Sequence, residues 1–361
     1  MNKIVFFKSQ LFLSIALFLF SCSRDRNIQV PVREVDFLNK TVDAPQDSVL
    51  MEILGTNRIL VCDTFLIATT NDIDGQLKVY STNSLSLLGS FCKKGRARNE
   101  MTRLEIVPEQ TYYKSDHLIV LVQEQRSTFI EVDITESLKE GYTVVQNKED
   151  FPSLSDGQII FLDQDLNKRI EYRYLDYDPD KGKEVPSRYY LVNNNKQKNL
   201  KIFKSPMKIV EGEEITMPYS GGIFKHPSRN LVVKMFSGMD YLLFMDFDST
   251  DYYAIHQSGS LTFEGIYERE KPLGFHFTLS SRTSDFFILT YYNGSYTIDA
   301  INTGKGILPE ILFFDWEGNY LTGMKMKQPI KSMGYDELHK VLYVVDYEDK
   351  LHAYDFKDVK L

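Results

Sequence analysis

The run Asp176-Tyr177-Asp178-Pro179-Asp180-Lys181-Gly182 sets three carboxylates at every second position, a spacing from which oxygen-ligand loops gather calcium. A twelve-residue EF-type loop needs glycine at its sixth place and a carboxylate at its twelfth. Counted from Asp176, those places hold Lys181 and Ser187. Counted from the second acidic stretch, Asp163-Gln164-Asp165-Leu166-Asn167, they hold Lys168 and Tyr174. Asp176, Asp178 and Asp180 are thus calcium candidates only outside the EF pattern. Their Pro-Asp-Lys-Gly core makes an ordinary turn equally well, with proline presetting φ and glycine taking positive φ.

The densest basic cluster is Lys93-Lys94-Gly95-Arg96-Ala97-Arg98. Loop N–H groups around Gly95, together with Arg96 and Arg98, could converge on a carboxylate or phosphate. Short basic runs are more often solvated, which makes a connecting turn between blades, Glu100 included, with its charges in water the expected reading. The histidines His117, His226, His256, His276, His339 and His352 never fall within four residues of one another, so the zinc spacing of paired histidines on one helix face is absent. No Gly-x-Ser-x-Gly elbow or phosphate-cradling glycine loop occurs. Ser220-Gly221-Gly222 could bare N–H groups to an oxyanion, but it leads into a strand-like run, where its glycines would permit close backbone approach. Carboxylates such as Asp63, Glu105, Asp240 and Asp346 could hold a channel calcium only if the fold brought several together.

Cys22 has a different chemistry. It follows Leu19-Phe20-Ser21, at the end of an apolar run that begins just after Lys3 and Lys8. A basic start, a short apolar stretch and a small residue before the cut make an export signal. The run is too short for a comfortable membrane span. This junction resembles the lipobox of bacterial lipoproteins, which implies that the Cys22 thiol is diacylated and becomes the first residue of an anchored body. Residues 1–21 are then the signal peptide, 22–27 a tether and 28–361 a single domain. Cys62 and Cys92, the remaining cysteines, lie in strand-like apolar segments and are expected as buried free thiols.

The chain carries 42 Lys and Arg against 50 Asp and Glu. An acidic body lacks the basic surface that displaces counterions from nucleic acid or docks broadly on anionic lipid. The excess is scattered, as befits a solvated surface.

The elements that would position these residues are strands. Beyond residue 48 the apolar pattern is short and alternating, and Tyr (22) and Phe (24) are abundant, as expected of strands with packed faces. A unit recurs: an apolar run, a polar turn, a run ending near an Asp, a second turn and a last run. Its copies cover 58–91, 104–145, 158–203, 222–256 and 275–325. A sixth, 330–355, has three runs only. Five four-strand units and a shared one predict a six-bladed β-propeller, closed by residues 28–37 supplying the missing strand to the C-terminal blade. Aromatic neighbours such as Tyr112-Tyr113, Tyr189-Tyr190, Tyr252-Tyr253, Phe286-Phe287, Tyr291-Tyr292 and Phe313-Phe314 could stack on sugars. Each is expected instead to send one ring to each side of its strand.

With a lipobox, this repeat resembles the TolB-like or NHL-like six-bladed propeller lipoproteins of Bacteroidetes. Those proteins often carry a Gly-Arg-Gly-Pro-Gly-Glu-Phe-type turn between blades. Here Gly95, Arg96 and Glu100 match, while Ala97, Arg98 and Asn99 replace Gly, Pro and Gly. The resemblance implies an all-β fold and an envelope location, and little chemistry. The expected function is a lipid-anchored binding module for a protein, peptide or glycan, rather than an enzyme, with no nucleic-acid partner and no cofactor. A calcium-dependent, lactonase-like hydrolase is the alternative. Ser23 resembles the sorting signal for the outer membrane. The basic balance of Arg24-Asp25-Arg26 favours the periplasmic face.

Overall fold

Phe286 and Phe287 are neighbours in one strand, and they pack into different cores. Phe313 and Phe314 divide in the same way, as do Tyr252 and Tyr253. Successive side chains on a strand point to opposite faces, so a sheet apolar on both faces must be covered twice. Six such sheets, set side by side in a ring, cover one another. The chain is a six-bladed β-propeller, seen in a computed structural model that describes residues 29–359 except 40, 98–99, 125–126, 152–156, 179–182, 195, 203–220, 261–276, 293–307 and 358.

The blades occupy residues 56–91, 104–150, 157–200, 223–257, 277–325 and 332–355, each a meander of antiparallel strands running from the channel outwards. Six apolar clusters fill the six seams between neighbouring blades. The recurring Asp ends the third strand of several units and caps the turn that follows. Asp246 accepts the Asp248 N–H at 2.9 Å, Asp315 the Asn319 N–H at 2.7 Å and Asp355 the Lys357 N–H at 2.9 Å. These are Asx-type turn bonds.

Among the described residues three strands precede the first blade. β1 (Val32–Val35) adds in parallel to the outer strand of blade 4, and β2 (Thr41–Asp43) adds in parallel to that of blade 5. β3 (Asp47–Glu52) pairs antiparallel with Lys350–Asp355 and is the fourth strand of blade 6. The expectation that residues 28–37 join the C-terminal blade is therefore corrected: the joining strand lies further along, and β1, within that span, lies on the outer edge of blade 4. The reason is apolar spacing. Val30 and Val32 enter the seam between blades 3 and 4, Phe37 that between 4 and 5, Ala44 that between 5 and 6, and Ile53 that between 6 and 1. The segment is a strap that plugs four consecutive seams.

Two other boundaries shift. The fourth strand of blade 2 is Val145–Asp150, because a short helix, α1 (Ile134–Glu140), takes up the preceding residues. Asp133 caps α1 by accepting the Glu136 N–H, and Gly141 ends it in the left-handed region at φ 76°, as caps and stops of these types do. The fourth strand of blade 3 is the polar Lys196–Leu200, whose outer edge faces water and so carries no alternation to read. Among the described residues no helix is long and apolar enough to cross a membrane.

Candidate functional site

The innermost strands of the blades all run the same way along the channel, so the turns that follow them crowd one mouth. Cys62, Asp63, Pro108, Arg282, Glu337 and Leu338 meet there around a cavity of about 200 Å³. They come from blades 1, 2, 5 and 6.

Arg282 ends the inner strand Phe277–Arg282 of blade 5 and reaches across the ring. Its Nη1 donates to the Lys225 carbonyl of blade 4 at 2.6 Å, and its Nη2 donates to the Pro108 carbonyl of blade 2. A planar guanidinium with donors fixed in a fork suits this bridging. Burial, with the Arg282 charge beside it, pushes the Lys225 amine down to about 8. Glu337 accepts the Ser284 hydroxyl at 2.6 Å, tying blade 6 to blade 5. The Tyr335 N–H donates to Ser281 Oγ at 3.0 Å, and the Ile59 N–H donates to Ser332 Oγ at 2.9 Å. The mouth is cross-linked around the ring by these bonds.

Asp63 sits at φ 49° in the turn between Thr56–Cys62 and Phe65–Thr70, a left-handed position that aspartate tolerates better than most residues. Burial, with the Asp63 charge next to it, raises the Cys62 thiol to about 11. The nucleophile of cysteine chemistry is the thiolate, so Cys62 is poorly suited to attack. Burial and the bond to Asp63 push the Tyr113 hydroxyl well above its ordinary value. Apolar surface completes the mouth: Leu338 is 66 % exposed and Tyr113 45 % exposed.

The candidate channel carboxylates do not converge. Asp63 is at the mouth, Glu105 pairs with Arg103 at 2.9 Å, and Asp240 accepts the Ser260 hydroxyl. Asp346 holds His352 Nε2 at 2.9 Å, and the same ring's Nδ1 meets Asp47 of β3 at 2.9 Å. Burial raises the Asp346 carboxyl, but the His352 bond and the Lys350 and Glu348 N–H groups outweigh it and leave it low. Among the described residues no three His, Cys, Asp or Glu side chains are grouped as a metal needs. Asp176 and Asp178 lie in the strand Lys168–Asp178, paired with Val185 and Lys183, rather than in a loop. Asp180 lies outside the described residues.

Gly95, Arg96 and Glu100 lie in the connection between blades 1 and 2, away from the mouth; Arg98 is outside the described residues. Arg96 is exposed. Glu100 turns back so that its own carboxylate accepts the Ala97 N–H at 3.0 Å. It lies against Gly95, where an added Cβ would come within 1.8 Å of Glu100 Oε2. The loop N–H that could have met a foreign anion is met by the chain's own. Cys62 and Cys92 are both free, and Lys234, wholly buried, donates to the Gly221 carbonyl at 2.6 Å. Of the mouth residues, the sequence marks Asp63 as a carboxylate, Cys62 as a free thiol and Tyr113 as one of an aromatic pair. Arg282 and Leu338 belong to no motif, and the signal that could have found them is their place at or just after the end of an inner strand.

No protein-family model matches the chain, and no curated protein does. Solved structures do. A member of the DUF4221 family from Bacteroides vulgatus superposes with a TM-score of 0.56 at 12 % identity, over 92 % of this chain and 98 % of that one. The β-propeller domain of Cps50 (Swd1) from Myceliophteria thermophila gives 0.43 at 8 % identity, over 86 % and 99 %. Raptor from Chaetomium thermophilum gives 0.45 at 8 % identity, over 88 % of this chain and 29 % of that one. At such identities the likeness is one of fold.

Proposed function

We propose that the protein is an interaction module that receives a protein or peptide partner on the channel mouth. The observation that carries this reading is the mouth itself: exposed Leu338 and Tyr113 beside Asp63 and Glu337, over a floor bridged by Arg282. Exposed apolar side chains rimmed by charge mark contact surfaces, and a rigid ring suits turns that must hold their geometry. The same proposal takes the body to be tethered through lipid on Cys22, at the periplasmic face of an outer membrane. Support for that part comes from the leader residues alone.

A photocrosslinker placed at residue 338 tests the site in intact cells of the source bacterium. The expected result is a discrete adduct that Tyr113→Ala and Glu337→Lys each abolish. An adduct pattern indifferent to both substitutions would remove the mouth from consideration. Incorporation of labelled palmitate, lost in Cys22→Ser, tests the anchor separately.

A further inference from the structure

Leu338 stands exposed over the mouth cavity, and the exposed charge beside that cavity is largely of one sign. Asp285, Glu337 and Asp63 lie in the turns after the inner strands of blades 5, 6 and 1, three neighbours in the ring, and all three are exposed. Surface carboxylates such as Glu105 and Asp355 have bases of their own, Arg103 at 2.9 Å and Lys357 at 3.1 Å. Among the described residues the three at the mouth have no ion-pair partner.

Two of them share a hydroxyl. Ser284 Oγ donates to Glu337 at 2.6 Å and stands 3.4 Å from Asp285. A hydroxyl has one proton, so it serves one carboxylate at a time and leaves two like charges side by side. A cation between them relieves that repulsion. Asp63 lines the same cavity as Glu337. The bases of this arc are Arg282 below, whose two Nη groups donate to the Lys225 and Pro108 carbonyls, and Lys340 at the outer end of the blade 6 turn. Further round, Lys114 and Asp116 belong to one turn of blade 2, Arg229 of blade 4 is 3.5 Å from Glu317, and the Lys225 amine has Asp163 on its side of the channel. The excess of negative charge is therefore on the arc that holds Leu338.

We infer that the segment received at the mouth, on the reading proposed above, carries an Arg or Lys beside an apolar residue. The cation enters among Asp285, Glu337 and Asp63, and the apolar side chain covers Leu338. A cavity of about 200 Å³ has room for one long side chain rather than a folded domain. Arginine suits it best, because its planar fork can meet two carboxylates at once.

The test uses the full chain with the photocrosslinker at residue 338, in intact cells, and maps by mass spectrometry where the adduct is attached on the partner. An Arg or Lys within three residues of that attachment is expected. Asp63→Asn and Glu337→Gln should each lower the yield by roughly fivefold, and Lys340→Gln should leave it equal or higher. In permeabilised cells the yield should fall as salt rises. All three positions are exposed, and an unchanged thermal midpoint checks that each variant is folded. An adduct attached in an acidic or uncharged segment, or one whose yield ignores both carboxylate variants, overturns the cationic partner while leaving the mouth a contact surface. An adduct of two copies of this chain does the same. So does a rise in midpoint with calcium or magnesium that Glu337→Gln abolishes, since the carboxylates would then be a metal site. The absence of any adduct removes the mouth itself, and the cationic partner with it.

Discussion

If the strap holds the ring by filling seams, Phe37→Ala should cost far more than an edge substitution ordinarily does. The ring is wholly buried and makes an edge-on contact with Phe314. Truncating a buried Phe costs about 3–5 kcal/mol, of which the cavity left behind is a part. The bond from the Phe37 N–H to Gln257 survives in alanine, so the loss is one of packing. At about 2.1 cal/mol/K per residue, roughly 330 residues unfolding together have an entropy near 0.7 kcal/mol/K, and the midpoint should fall by about 4–7 °C. Calorimetry on residues 22–361 reads that shift. Val42→Ala is the control: Val42 lies on β2 but is 52 % exposed, and surface changes of that kind stay within about 0.5 kcal/mol. Hydrogen exchange at Val32–Val35 distinguishes a whole-ring effect from local fraying of β1. A fall under 1 °C, with those amides protected as before, would refute the view that the ring depends on strap packing.

Burial lowers the Lys234 amine well below its ordinary value. In that window the unfolded chain binds the extra proton, so the group makes stability rise with pH, by at most about 1.4 kcal/mol per unit. Urea midpoints between pH 7 and 9 should show a steeper rise in wild type than in Lys234→Met, and equal slopes would refute the assignment. Asp133→Ala should lose about 1–2 kcal/mol by uncapping α1, read as a lower urea midpoint. Burial raises the Asp133 carboxyl, but the Glu136 N–H, Gln146 and His117 outweigh it and hold it low. Its contribution is therefore complete above the ordinary carboxylate pKa and lost as pH falls through the lower folded value. Thermal midpoints in EDTA and in excess calcium should coincide, since Asp63, Asp240 and Asp346 are held apart by separate partners; a rise of several degrees with calcium would revive a metal-dependent channel.

Blade count and most strand positions were legible because alternation and turn chemistry are local. The 231–246 pair of strands in blade 4, apolar on both faces, stands out in any reading. Lys196–Leu200 did not, being an edge strand with nothing to bury on its outer side. The path of the strap was illegible for a different reason. Its pairings join residues more than two hundred apart, Val32 with Ala254 and Thr41 with Gly323, and one plug per seam is a period that only the ring defines. The mouth was hidden likewise: Arg282 acquires its role from carbonyls 57 and 174 residues away. The basic run was visible, but not the fact that Glu100 occupies its turn from within.

The order of strands along the strap also sets how the molecule answers a pull. A load applied ahead of Gln29 meets that residue's bond to the Ile202 carbonyl first, then β1, then β2. The pairing of β3 with the last blade comes only after these. Detaching residues 29–46 would pay out about 60 Å of slack at the length of an extended chain. Residues 29–46 would thus act as a shock absorber under load, yielding in stages while the closing strand stays unloaded.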